Sequence, residues 1–402
     1  MTGNAEGRTR IAGSPTLNLV LATAAFALLF WAWNLIGPLA TAYSERLDLE
    51  PAQTSALIAI PVLVGAVGRI PAGALTDRYG GRVTMAAICF LTTVPVLLIG
   101  FLGDSYTLLV IFGTLLGIAG TSFAVGIPFV NAWHDSRRRG TATGVFGAGM
   151  GGTALSALFT PYLAEYLGLT GTHAAMAVAL AAMGAVMYVF GRDAPGWRSG
   201  DARVLPRVRE AAEIKATGQA MLFYAIAFGG FVAFSAYMPT LLQTAYTFSP
   251  TEAGLRTAGF SITAVLARPL GGALSDRIGP VRVCAASFAG TAAMAVALML
   301  RPPAEIAAGT VFVLMAAFLG FGAGGVFALV ARLVDPARVG TVAGVVGAAG
   351  GLGGYFPPMV MGAVLQFTGT YAIGFALLAL CAGGVAVYTV CAFPEAARIR
   401  RS

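Results

Sequence analysis

Residues 69–82 read R-I-P-A-G-A-L-T-D-R-Y-G-G-R, and residues 268–282 read R-P-L-G-G-A-L-S-D-R-I-G-P-V-R. In both, an arginine stands eight residues before an aspartate: Arg69 before Asp77, and Arg268 before Asp276. A second echo pairs D-S-R-R-R-G-T-A-T-G-V at 135–145 with D-P-A-R-V-G-T-V-A-G-V at 335–345, at nearly the same offset of half the chain. Such a repeat implies two related units packed around a central axis, with any bound solute at the boundary between them.

Composition says what those units are made of. Of 402 residues, 57% are hydrophobic and 10% charged, whereas a soluble domain carries about 25% charged residues. Polar side chains are too few to cover a water-facing surface, so most of the exterior faces lipid. A bilayer-crossing helix needs roughly 20 apolar residues. Stretches of that kind fall near 17–40, 53–74, 83–102, 107–132, 140–163, 172–190, 217–246, 252–273, 281–300, 306–331, 341–365 and 371–393. The expected fold is an all-α integral membrane protein of twelve transmembrane helices in two pseudo-symmetric six-helix bundles. The first stretch is too long for a signal-peptide core and reads as a retained helix. The polar interval after the sixth span divides the chain into a bundle at 1–195, a linker at 196–215 and a second bundle at 216–402.

The net charge of +8 is a topology signal. Apart from Arg69 and Arg268, the basic residues gather at the termini and in alternate loops, and the opposite loops hold only Arg46, Arg256 and Arg301. Loops rich in Lys and Arg stay in the cytoplasm, which places both termini there and argues against a nucleic-acid partner. The four cysteines, Cys89, Cys284, Cys381 and Cys391, sit in apolar spans with no metal-binding spacing and read as small core residues. His134 and Asp135 read as a solvated loop pair, since no nucleophile or oxyanion motif accompanies them. His173 has no evident partner. No cofactor, metal or enzymatic constellation is expected.

Arg69 and Arg268 are the two charged residues deep within apolar spans. Eight residues of helix put each about 12 Å from its loop, near the middle of the roughly 30 Å hydrocarbon core. An arginine at that depth costs about 2.5–3.5 kcal/mol on insertion scales. Snorkelling does not reach from the midplane, and all 17 acidic residues fall in loops or at span margins. Two such cations invite an anion. The planar guanidinium fork suits bidentate bonding to flat oxyanions, which admits nitrate, nitrite, formate or another small carboxylate without choosing among them. Glycines spaced by three or four residues at Gly140, Gly144, Gly147 and Gly151, and again at Gly340, Gly344, Gly347, Gly350, Gly351 and Gly354, predict helix faces that approach closely and slide. They leave little cavity volume, again favouring a small solute.

The segments G-A-L-T-D-R-Y-G-G-R (73–82) and G-A-L-S-D-R-I-G-P-V-R (272–282) resemble the cytoplasmic loop signature of the major facilitator superfamily. That resemblance implies a conformational latch made by Asp77, Arg78, Arg82, Asp276 and Arg277. Within the superfamily, G-R-I-P-A-G (68–73), G-I-A-G-T-S-F-A (117–124), G-V-F-G-A-G-M-G-G (144–152) and G-A-A-G-G-L-G-G-Y-F-P (347–357) resemble the nitrate/nitrite porter family. The resemblance covers about 17–393. It implies anion selectivity, Arg69 and Arg268 as the clamp, Phe123 and Phe228 as aromatic walls, and Tyr224 as a hydroxyl donor. It also marks a departure: where many members place an asparagine in the fifth span, Gly151 aligns here.

The mechanism expected is exchange of nitrate for nitrite. Bringing two unshielded arginines together in a low dielectric is costly, and a bound anion offsets it, so the loaded carrier reorients and the empty one does not. With no intramembrane carboxylate or histidine apparent, proton symport of nitrate is the alternative, followed by transport of formate or another small anion. The expected setting is a bacterial inner membrane, with nitrate, nitrite and lipid as partners and no obligatory protein partner.

Overall fold

The computed structural model describes residues 14–135, 138–199, 204–304, 306–334 and 339–393, and among them there are helices and no strand. In chain order the helices are α1 (Pro15–Trp33), α2 (Ile36–Leu47), α3 (Pro51–Tyr79), α4 (Gly81–Leu102), α5 (Tyr106–Leu116), α6 (Ser122–Ala132), α7 (Arg139–Gly147), α8 (Gly152–Phe190), α9 (Val204–Ala212), α10 (Lys215–Tyr246), α11 (Pro250–Ile278), α12 (Pro280–Met299), α13 (Ile306–Leu333), α14 (Val339–Gly353), α15 (Phe356–Thr368) and α16 (Ala372–Ala392). Short 3-10 turns, Gly117–Thr121 and Ala148–Gly151, join α5 to α6 and α7 to α8.

Nine of the described segments are long and apolar enough to cross a membrane. These nine cover ten of the twelve expected stretches, and the eighth and eleventh fall outside them. The segment Arg139–Phe190 holds two crossings, separated at Gly168, whose φ of 69° breaks the helix. Helix α11 is long enough but diluted by polar residues, Arg268 among them. The eleventh stretch is interrupted between α14 and α15, where Pro357 and Pro358 follow Tyr355. The first stretch is also broken, at Asn34 and Leu35.

The two signature turns owe their shape to glycine. Gly80 and Gly279 adopt φ of 87° and 95°, a region that costs other residues, and each ends one helix and starts the next. Beyond the first turn, Asp193 Oδ1 accepts from the backbone N–H of Arg82 at 3.1 Å, capping the start of α4, and Arg82 donates to the carbonyl of Tyr188 at 2.9 Å. Helices α3 and α11 share an opening: proline at the first position and a capping box, Glu50 with Gln53 and Ser249 with Glu252.

Contacts between the first six crossings and the last six gather at one end. Asn34 Nδ2 donates to the carbonyl of Ser235 at 3.1 Å, Ser55 Oγ to Tyr237 at 3.3 Å, and Gln366 bridges the Glu50 carboxylate and the N–H of Ala52. Backbone meets backbone there through Gly37 against Ala236, and Gly254 against Ala157. Toward the opposite end, where the signature turns lie, Gly73, Gly140, Gly144, Gly272 and Gly344 have nothing within 4 Å of where a Cβ would stand. Among the described residues, the two halves are closed at the Pro51 end and open at the Tyr79 end.

Large apolar side chains such as Val67, Leu91, Leu266 and Leu380 are exposed on the flanks, as lipid-facing surface requires. Cys381 and Cys391 share that surface, so the reading of all four cysteines as core is corrected: only Cys89 and Cys284 are buried. His173 also departs from expectation. It is fully buried within α8, with Nε2 at 3.2 Å from the Tyr43 hydroxyl and Nδ1 at 2.8 Å from the carbonyl of Leu169. Its partner was hidden by a separation of 130 residues.

Candidate functional site

Arg69 lies in α3 with 3% of its surface exposed. Its Nε donates to the carbonyl of Gly120 at 3.4 Å, in a 3-10 turn whose tighter winding turns carbonyls out of the helical ladder. Its Nη1 donates to the carbonyl of Gly347, in α14 of the opposite half. Its Nη2 is buried with no hydrogen-bond partner among the described residues. The guanidinium carbon sits 5.2 Å from the ring centre of Phe123 and 5.4 Å from that of Phe228, close enough for a cation–π attraction to both.

Arg268, in α11, faces the same ring from the other half. Its guanidinium carbon is 6.0 Å from Phe228, 5.7 Å from Tyr224 and 5.3 Å from Phe327. Nη2 donates to the Tyr224 hydroxyl at 2.9 Å, and Nη1 points at Met150 Sδ at 3.2 Å. Tyr224 and Phe228, one turn apart in α10, stack with ring centres 4.9 Å apart and planes 2° from parallel. Phe123 continues the wall at 6.3 Å from Phe228. The aromatic layer therefore separates and screens two cations that no carboxylate neutralises among these contacts.

The structure brings Arg69, Phe123, Tyr224, Phe228 and Arg268 together from four helices. Two members of the cluster escaped sequence reasoning. Phe327 is one of 25 phenylalanines and carries no mark in the sequence. Met150, the neighbour of the Gly151 that aligns with the family's asparagine, reaches Arg268, while Gly151 itself has nothing within 4 Å of a Cβ position. A narrow cleft lined by Met150, Phe228, Phe231, Ala264 and Leu319 runs along Arg268.

The glycines divide differently from the expected pattern. A Cβ at Gly350 would run into the Tyr224 ring, and one at Gly354, just past the end of α14, would stand 2.9 Å from Val232, so this segment packs closely on α10. At Gly347 a Cβ would make only ordinary contact, 3.6 Å from Phe123. Gly144, Gly147 and Gly151 pack on nothing here; Gly149 and Gly152 make the close approach to α1 instead. For Gly151 the reason is the 3-10 turn at Ala148–Gly151. A 3-10 residue advances about 120° where an α-helical one advances about 100°, so four of them rotate the face by about 80°. Past that point, spacing counted as pure α-helix selects Gly151, whereas in this state Gly152 makes the contact.

The signature-turn residues lie at the open end. Asp77, Arg78, Asp276 and Arg277 are exposed, and Arg82 is half-buried on its own half. Ser199 Oγ donates to the carbonyl of Arg78 at 2.8 Å, and Arg332 to that of Ser275 at 3.1 Å.

Comparison with known proteins agrees with this geometry. The family model described as Major Facilitator Superfamily matches residues 22–248 and again 220–401. A crystal structure titled as a bacterial homolog to the human lysosomal transporter Spinster, inward-facing and occupied, superposes with a TM-score of 0.74 at 18% identity, over 96% of this chain and 98% of that one. Fold and repeat together define a secondary transporter of the major facilitator type, not an enzyme.

Sequence relatives narrow the class. A Mycobacterium tuberculosis protein named probable nitrate/nitrite transporter NarK2 is 53% identical over 92% of this chain and 95% of its own length. The nitrite extrusion protein of Bacillus subtilis is 35% identical over 87% of each chain. A probable nitrate/nitrite antiporter NarK1 of Thermus thermophilus is 32% identical over 90% of this chain and 88% of its own. The chain belongs to the nitrate/nitrite porter family of the major facilitator superfamily.

Proposed function

We propose that this protein exchanges nitrate for nitrite across a bacterial inner membrane by alternating access, with one anion held between Arg69 and Arg268. The observation that carries this reading is the buried, unpartnered Nη2 of Arg69 beside a second guanidinium and no carboxylate. A buried donor without an acceptor costs about 1–3 kcal/mol, and an oxyanion supplies the acceptor. Planarity follows from the aromatic layer, on which a flat anion stacks while its edge meets the two forks. The printed names of the relatives support nitrate and nitrite as the anions.

Charge distribution supports cytoplasmic termini, and the open end is then the cytoplasmic one. The chain divides at 196–215 into the two bundles. In the outward-facing state the loop residues Asp77, Arg78, Arg82, Asp276 and Arg277 latch the bundles together, and the free faces of Gly144, Gly147 and Gly151 close on the opposite half. Nitrate–proton symport is the second reading, favoured by one observation, the buried imidazole of His173; its hydrogen bonds go to Tyr43 and Leu169, outside the arginine cluster.

Tyr224→Phe tests the site. A hydrogen bond to a charged group contributes about 1.5–3 kcal/mol, so the half-saturating nitrate concentration is expected to rise about tenfold or more in uptake assays. An unchanged value sinks Tyr224 as an organiser of Arg268.

A further inference from the structure

We infer that Met150 is the residue that limits the size of the anion, by filling the space beside Arg268 where a larger solute would extend. The inference rests on the anion reading above. Three observations carry it. Met150 is 3% exposed, and its thioether stands 3.2 Å from Arg268 Nη1. It also lines the cleft that runs along Arg268 with Phe228 and Ala264. Finally, the internal repeat places it opposite a glycine: G-V-F-G-A-G-M-G-G at 144–152 runs parallel to G-V-V-G-A-A-G-G-L at 344–352, so Met150 corresponds to Gly350.

The two arginines are therefore held differently. Arg69 is tied to two backbone carbonyls, Gly120 and Gly347, which cannot be displaced without moving helices. Arg268 meets a side chain instead of backbone on the corresponding side. A thioether is a weak acceptor on a flexible stem. It yields its place at Nη1 to an anion oxygen, which is a far better acceptor for a cation. Its bulk remains beside the site as a wall. Nitrate and nitrite, with only oxygens beyond the central atom, fit inside that wall. A flat carboxylate bearing one methyl group reaches further from its central atom, since a methyl is larger than an oxygen and sits on a longer bond, and it meets the Met150 side chain.

The test uses the full-length protein in proteoliposomes, with acetate as the competing anion against labelled nitrate. Wild type and Met150→Leu, which keeps the volume and loses the sulfur, are expected to exclude acetate equally. Nitrate uptake by Met150→Ala, whatever its own rate, is expected to be inhibited by acetate at a concentration at least about tenfold lower than wild type requires, a difference of about 1.4 kcal/mol. Nitrate- and acetate-dependent rises in melting temperature of the purified variants provide a second readout. The inference is overturned if Met150→Ala excludes acetate as wild type does, if Met150→Leu admits it as well, or if folded Met150→Ala binds neither anion. Failure of wild type itself to transport nitrate sinks the functional reading, a separate result.

Discussion

Alanine at Arg69 or at Arg268 is expected to reduce nitrate transport by on the order of 100-fold or more, with the protein still inserted at wild-type levels. Truncating one partner of a buried, hydrogen-bonded charge pair costs about 2–5 kcal/mol or more. Insertion moves the other way, since a midplane arginine is itself unfavourable by about 2.5–3.5 kcal/mol on insertion scales. Loss of transport with normal membrane abundance, measured by uptake and immunoblot on the same cells, therefore separates function from folding. Lysine is expected to rescue little at Arg69. The native side chain donates from Nε to Gly120 and from Nη1 to Gly347 while leaving Nη2 for the anion, and a single ammonium lacks that planar fork. Normal uptake by either alanine variant removes the clamp from the account.

Valine at Gly254 is expected to abolish exchange by a different route, with nitrate binding retained. A Cβ at this position runs into the carbonyl of Ala157 in the opposite half and lies 3.1 Å from Pro161. Backbone cannot rotate aside as a side chain can, so the closed end is held apart. Gly37 against Ala236 makes the same kind of contact. Ser55 is fully buried at this closed end and bonded to Tyr237. A cysteine placed at Ser55, with the four native cysteines replaced, is expected to react with a membrane-impermeant maleimide from the Pro51 side only when Gly254→Val is also present. Equal protection in both backgrounds contradicts a closure built on backbone contact.

The parts of this protein that were legible in its sequence are those that physics makes conspicuous. A cation in an apolar span stands out because insertion penalises it, so Arg69 and Arg268 announced themselves. The two turns ending at Gly80 and Gly279 stood out because one motif recurs in both halves, and the positive φ at both explains the shared glycine. Contacts made across long separations left no such trace. Tyr43 and His173, or Arg268 and Met150, lie 130 and 118 residues apart, and neither Met150 nor Phe327 differs in type from ordinary core. The breaks at Asn34 and at Tyr355 lie within apolar runs, where hydropathy continues across the interruption. Asp193 carries no mark in the sequence, and the fold places its carboxylate on the first signature turn. Helix phase was the other blind spot, since the 3-10 turn at Ala148–Gly151 moved the packing role from Gly151 to Gly152.

The central claim is that two facing arginines make the empty carrier reluctant to reorient and an anion makes it free to do so. Labelled nitrate uptake into proteoliposomes preloaded with nitrite, with nitrate or with neither, at equal pH and under an acid exterior, tests it most directly. Uptake only into anion-loaded vesicles, indifferent to the pH gradient, is the predicted result. Uptake into empty vesicles driven by external acid contradicts it and makes the protein a proton symporter.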